Sequence, residues 1–297
     1  MGTNKIKPII SLEASYVFHM LSCAKCGYDN SYGVQFAPLH NENNLKILKE
    51  HERLITVEGG EHCGQLYWLL VCVPASLSSP ADKYYQFLCS LFESNNFDGN
   101  EVTNFDSFGF RDLNEIYARS EEFAKEIVSI SKVMIGNYRI YTNCVWNEAQ
   151  SKLLTYTKKV ETIFEENDTS VKLEKLTGVT PQENFYPIFC NSIDSGAEAI
   201  DVSMSRHVFG IGREVEKAVQ FVTHEYVIYL LKQALIDTPA FSDPMKYWLQ
   251  IEGLAAYYYE KIFPGRHIFL ENREIIEFYE SKGGVLSAKE LFLAAIK

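Results

Sequence analysis

The sequence has no apolar run long enough to cross a bilayer. Its longest strongly apolar stretch, LYWLLVCVPASL at 66–77, is about half of the ~20 residues that a spanning helix needs. Positive charge is scarce as well: 28 Lys and Arg stand against 39 Asp and Glu, for a net charge of −11. A surface of that sign repels phosphate backbones, and no basic cluster longer than Lys158-Lys159 offsets it, so no nucleic-acid partner is expected. A phosphate-cradling loop is missing too. GIGREV at 210–215 begins like a dinucleotide loop but lacks the third glycine. There is no Gly-x-Ser-x-Gly nucleophile elbow, no internal repeat and no low-complexity tract. At the N-terminus, Pro8 and Glu13 interrupt any signal-like apolar core, and Ile6 breaks the myristoylation pattern that Gly2 would begin. The expectation is a cytoplasmic protein with no membrane partner.

What is present is core-forming material. Of 297 residues, 46% are hydrophobic and 13% aromatic, enough for one large domain or two smaller ones. The seven cysteines are odd in number and irregular in spacing, and most sit in apolar contexts, which suits reduced thiols packed as small hydrophobes. One pair, Cys23-x-x-Cys26, has the form of half a zinc knuckle. A structural zinc site needs a second pair, and the nearby His62-Cys63 has the wrong spacing.

Along the chain, residues 9–94 read as mostly helical, with Ser11 placed to cap the first helix. The run 64–77 fits either a buried strand or a buried helix. Residues 95–112 are rich in Asn, Asp, Gly and Ser and read as a loop; Asp98, Asp106 and Asp112 lack calcium-loop spacing. The expected division is a helical N-terminal region, 1–112, and a second domain, 113–297. The latter opens with helices near 113–134 and 143–166. Two strands follow, 185–193 and 197–205, turning at Asp194-Ser195-Gly196, with Ala199, Asp201 and Ser203 alternating against Ile200, Val202 and Met204. A long helix spans about 213–236, and another follows the loop 237–244. Gly283-Gly284 stops the next helix, and Ser287 with Glu290 forms a capping box for the last. The fold class expected is α+β, predominantly helical.

The chemistry concentrates in QFVTHEYVIYLL, 220–231. Two histidines four apart on a helix share a face and reach one zinc ion, while a Glu between them serves as general base. Here His224 and Glu225 are in place, and the second histidine position is Ile228. The next helix carries Glu252-Gly253-Leu254-Ala255, with Trp248 before it and Tyr257 after it, 24 residues beyond position 228. This arrangement resembles the gluzincin zinc metallopeptidases over about residues 180–262. The resemblance implies a zincin-like domain with a small antiparallel sheet and two core helices. It implies His224 and Glu252 as metal ligands converging within about 5 Å, Glu225 as general base and Tyr257 as transition-state donor. It also implies that strand residues Ala199, Asp201 and Ser203 pair with an extended peptide.

Zinc is the cofactor such a motif calls for, and the missing nitrogen at 228 argues against it, because two protein ligands rarely hold zinc tightly. His207 and His267 are the other histidines of the C-terminal half, each expected in a loop. The expected function is a catalytically inactive pseudopeptidase that binds a peptide or protein. The alternatives are an active zinc peptidase with an unusual ligand set, and a helical interaction protein unrelated to peptidases.

Overall fold

The structure, a computed structural model, describes residues 4–58, 62–94, 121–193, 199–212, 214–243, 246–264, 273–282, 284 and 286–297. In chain order the helices are α1 (Leu12–Cys23), α2 (Ser31–Phe36), α3 (Glu42–Glu50), α4 (Glu52–Ile55), α5 (Val73–Ser76), α6 (Ala81–Ser94), α7 (Ala124–Tyr141), α8 (Asn147–Asn167), α9 (Thr169–Thr177), α10 (Val215–Ala234), α11 (Pro239–Ser242), α12 (Trp248–Ile262), α13 (Arg273–Lys282) and α14 (Ala288–Ala295). The strands are β1 (Val57–Glu58), β2 (His62–Cys63), β3 (Tyr186–Cys190), β4 (Ile200–Ser203) and β5 (Arg206–Gly210). The class is α+β and mostly helical. Packing divides the chain into two discontinuous units, residues 9–156 with 188–212, and residues 1–8 with 157–187 and 213–297. The expected boundary at 112, the polar loop and its aspartates lie outside the described residues, as does His267.

The first unit is built around α1. Ser11 caps it, its hydroxyl accepting from the Ala14 N–H at 3.1 Å, and every residue from Glu13 to Cys23 is buried. A helix buried all round belongs at the centre of a core. The ambiguous run 64–77 is helical: a π-turn, Trp68–Cys72, leads into α5. Pro74 sits in the first turn of α5, where a missing N–H leaves nothing unsatisfied. α6 packs along α7. The break expected between 134 and 143 does not occur. Apolar residues continue at helical spacing through Tyr138, Tyr141 and Val145, and a π-turn, Thr142–Trp146, joins α7 to α8.

The sheet differs from expectation. Its order is β3-β5-β4 and it is mixed rather than wholly antiparallel. The hairpin is β4–β5, turning at Met204-Ser205, and Asp201 lies opposite His207. The alternation seen at 199–204 marks one strand but not its end: Met204 is 56% exposed in the turn. The centre strand is β5, whose His207, Val208 and Phe209 are all buried, the continuous burial expected of a central position. The turn at 194–196 lies outside the described residues.

In the second unit α10 and α12 pack together, with α9, α13 and α14 around them. The capping box of α14 is formed: Ser287 Oγ accepts from the Glu290 N–H, and the Glu290 carboxylate accepts from the Ser287 N–H at 2.8 Å. Gly284, at φ +94, takes the left-handed conformation that a residue with a Cβ resists. Among the described residues, no helix is long and apolar enough to cross a membrane.

Candidate functional site

The candidate site lies on α10 and α12, both in the second unit. From Val222 to Leu231, α10 is buried at every position but Glu225. Its tyrosines fix it in place: Tyr226 Oη donates to Glu174 Oε1 at 3.2 Å, and Tyr229 Oη donates to the Glu183 carbonyl at 3.1 Å. Burial and the nearby Glu174 carboxylate both raise the Tyr226 pKa, so that phenol stays protonated as a donor.

α12 is set by its neighbour α13. Gly253, next to Glu252, is where the two helices approach. A Cβ built there would stand 2.4 Å from Ile275 Cγ2. Tyr279 Oη donates to the Gln250 carbonyl at 3.0 Å. The Glu-Gly pair therefore has a packing reason of its own, because glycine lets α13 close over the helix that carries Glu252.

The two expected metal ligands meet. His224 Nε2 donates to Glu252 Oε2 at 2.9 Å, with the histidine 1% and the glutamate 8% exposed. A carboxylate oxygen accepts, so the proton of His224 sits on Nε2, the atom that would face a metal. Ile228, one turn on, is 3% exposed and presents a butyl group where the expected motif would have a second histidine. Burial of such a side chain contributes roughly 1.5–3 kcal/mol. Among the described residues, no third His, Cys or carboxylate joins His224 and Glu252 within ligating reach.

The other expected site residues fall elsewhere. Glu225 is half-buried at the edge of the α10 face. Tyr257 follows Glu252 by five residues, about 140° around the helix. Its ring packs on Tyr258 and Tyr279, with Lys261 Nζ 4.7 Å from its centroid. Burial, and secondarily Glu280, raises its pKa.

In the first unit, Ala199 precedes β4, and Asp201 and Ser203 lie on it, all half-buried. β4 is an edge of the sheet, yet the segment 68–76 packs against it and the Cys72 thiol donates to the Asp201 carbonyl at 3.6 Å. That restricts pairing to an added peptide. His207 is a fully buried strand residue, not a loop histidine; its Nδ1 contacts Asp201 Oδ1 at 3.0 Å. Sequence reasoning missed that pair, which only the β4–β5 register makes visible.

One further feature concerns the connection between α10 and α12. Ile236, Phe241, Trp248 and Leu249 are 50, 55, 47 and 57% exposed, four large apolar side chains within fourteen residues of chain. Compared with known proteins, the chain matches no family model, no curated protein and no solved structure.

Proposed function

We propose that the chain is a non-catalytic, gluzincin-like protein whose helix pair α10–α12 serves as scaffold for binding a peptide or protein. The observation that carries this reading is the direct His224–Glu252 hydrogen bond beside a buried Ile228. The two groups that would ligate a zinc ion satisfy each other, and the third ligand position is apolar. Catalytic zinc sites use three protein ligands and an open position, and this pair supplies two.

The binding partner is a peptide or protein with apolar anchors. The four exposed apolar side chains Ile236, Phe241, Trp248 and Leu249, all within fourteen residues of chain, support this assignment as candidate anchors for such a partner. This exposed segment is a better candidate than β4, where the Asp201 carbonyl already has a donor.

The test is metal analysis and peptide hydrolysis on the purified chain and on His224→Ala and Glu225→Gln. The expected result is no hydrolysis and no metal that depends on His224. Zinc that disappears in His224→Ala, with hydrolysis lost in Glu225→Gln, would overturn the reading in favour of an active peptidase with an unusual ligand set.

A further inference from the structure

A second cluster of metal-ligating side chains lies in the first unit, away from the motif that draws attention in the sequence. His19 and Cys23 are four residues apart on α1, so they leave the same face of that helix. His40 follows the short turn Ala37–Leu39, and its Nε2 lies 2.7 Å from His19 Nε2. Cys23 Sγ lies 3.6 Å from the same His19 nitrogen. All three ligand atoms fall within 4.8 Å of one another. The three residues are 0, 4 and 8% exposed for His19, Cys23 and His40. Cys26, the other half of the knuckle-like pair, points its thiol at the Ala24 carbonyl instead.

The protons of this cluster follow from its partners. Asn137 Nδ2 donates to the Val133 carbonyl at 2.7 Å, which leaves Asn137 Oδ1 facing His40 Nδ1 at 2.8 Å. An amide oxygen only accepts, so His40 is protonated on Nδ1 and offers the lone pair of Nε2. His19 Nε2–H donates to that lone pair, and His19 Nδ1 accepts from Tyr32 Oη at 2.7 Å. A single proton thus sits between two imidazole nitrogens, with a thiol beside it.

We propose that this cluster is a binding site for a zinc-class divalent ion, held by His19 Nε2, His40 Nε2 and Cys23 Sγ. Tetrahedral zinc at ordinary bond lengths separates two nitrogens by about 3.3 Å and a nitrogen and a sulfur by about 3.6 Å. The Cys23–His19 separation already has that value. The imidazoles must part by roughly 0.6 Å, the displacement expected when an ion replaces the shared proton.

The outer partners suit the ion as well as they suit the proton. Asn137 keeps accepting from His40 Nδ1–H. The proton of His19 moves to Nδ1, where the Tyr32 hydroxyl turns to accept it. Cys23 gives its thiol proton to solvent, so one proton leaves per ion bound. Two imidazoles and a thiolate favour zinc over magnesium or calcium. The rings of Tyr141 and Phe36, at 4.6 and 5.9 Å from His19, form the apolar wall.

The experiment uses the full chain, stripped with chelator and titrated with zinc and with cobalt(II) as a spectroscopic probe. One ion per chain is expected, with a thiolate-to-cobalt charge-transfer absorption and a metal-dependent rise in Tm. Cys23→Ser should abolish the absorption. His40→Gln and Asn137→Ala should weaken affinity at least about tenfold; the second keeps all three ligands and tests the outer partner. His224→Ala, although less stable, should keep the one-ion stoichiometry and the thiolate-to-cobalt absorption, which separates this site from the α10–α12 pair. If a ligand variant fails to fold, the cobalt spectrum of the unaltered chain decides, since a spectrum without thiolate character overturns the assignment. No bound ion, or binding that survives both Cys23→Ser and His40→Gln, overturns it equally.

Discussion

Removing either partner of the His224–Glu252 pair should destabilise the second unit, and removing both should not cost the sum. The Glu252 side chain is 11% exposed and His224 is 1% exposed, so water cannot replace a lost partner at low cost. A hydrogen bond to a charged partner contributes about 1.5–3 kcal/mol, and an orphaned buried donor adds desolvation of similar size. Glu252→Ala leaves the His224 Nε2–H without its acceptor, at an expected cost of about 2–4 kcal/mol. The gain in helix propensity from the new alanine is a few tenths and does not change the sign. His224→Ala should cost a similar amount, including a cavity contribution. The double variant should be more stable than additivity predicts by about 1.5–3 kcal/mol, the coupling in the native pair. Glu252→Gln keeps an acceptor oxygen and should lose only about 1 kcal/mol. The measurement is urea unfolding of all four variants against the unaltered chain. A coupling below about 0.5 kcal/mol, the usual error of additivity, would show that the 2.9 Å contact contributes little and that the reasoning is wrong.

Ile228→His should create zinc affinity that the unaltered α10–α12 pair lacks, by at least about tenfold, since even outer ligand partners are worth that much. Competition with a chelating dye reads it, and no gain would count against the gluzincin-like reading of the helix pair. Gly253→Ala sets a propensity gain of about 1 kcal/mol against a Cβ placed 2.4 Å from Ile275 Cγ2. Ile275 is β-branched and yields little, so overpacking of about 1–3 kcal/mol should win and lower Tm; a higher Tm would refute the close approach of α13. Glu13 accepts from the Ala81 N–H and from Tyr138 Oη, yet burial outweighs both and raises its pKa. A raised folded pKa means the native state holds the proton more tightly than the unfolded chain does. That contribution is complete below the ordinary glutamate range and is lost as pH rises through the raised value. Glu13→Gln should flatten this part of the pH–stability profile, and denaturation across mildly acidic to neutral pH would detect it.

Helices marked by a cap or a long apolar period were legible in the sequence. Ser11 and the Ser287–Glu290 box each fix a first turn through local hydrogen bonds, which need only neighbours a few residues away. The sheet was less legible. Alternation at 199–204 tells which side chains share a face, but nothing local says that RHVFG rather than YPIFC is the hairpin partner. The run 64–77 stayed ambiguous because a fully buried helix and a fully buried strand are both apolar throughout. The closeness of His224 and Glu252 could be expected from the sequence because the resemblance to a spaced motif singled out both, and the structure brings them to 2.9 Å. The His19, Cys23 and His40 cluster was not, because His40 is brought in by a turn and not by helical spacing. Its outer partner, Asn137, stands 97 residues further along the chain.

The two histidine clusters share one piece of chemistry and differ in the number of ligands they can bring to a metal ion. In each, a proton occupies a position between two atoms that could both bind a metal: His224 Nε2 and Glu252 Oε2 in one, His19 Nε2 and His40 Nε2 in the other. A proton and a zinc ion compete for the same lone pairs. With two ligands the proton wins, because it completes a strong hydrogen bond whereas the ion stays half-coordinated in a dry site. A third ligand reverses the balance. At the helix pair that place belongs to Ile228, which offers no lone pair. At the other cluster it belongs to Cys23, whose sulfur already stands at a ligating separation from His19. Conversion should therefore work in both directions by changing one side chain. Ile228→His supplies a third ligand to the pair that lacks it, and Cys23→Ser removes it from the cluster that has it.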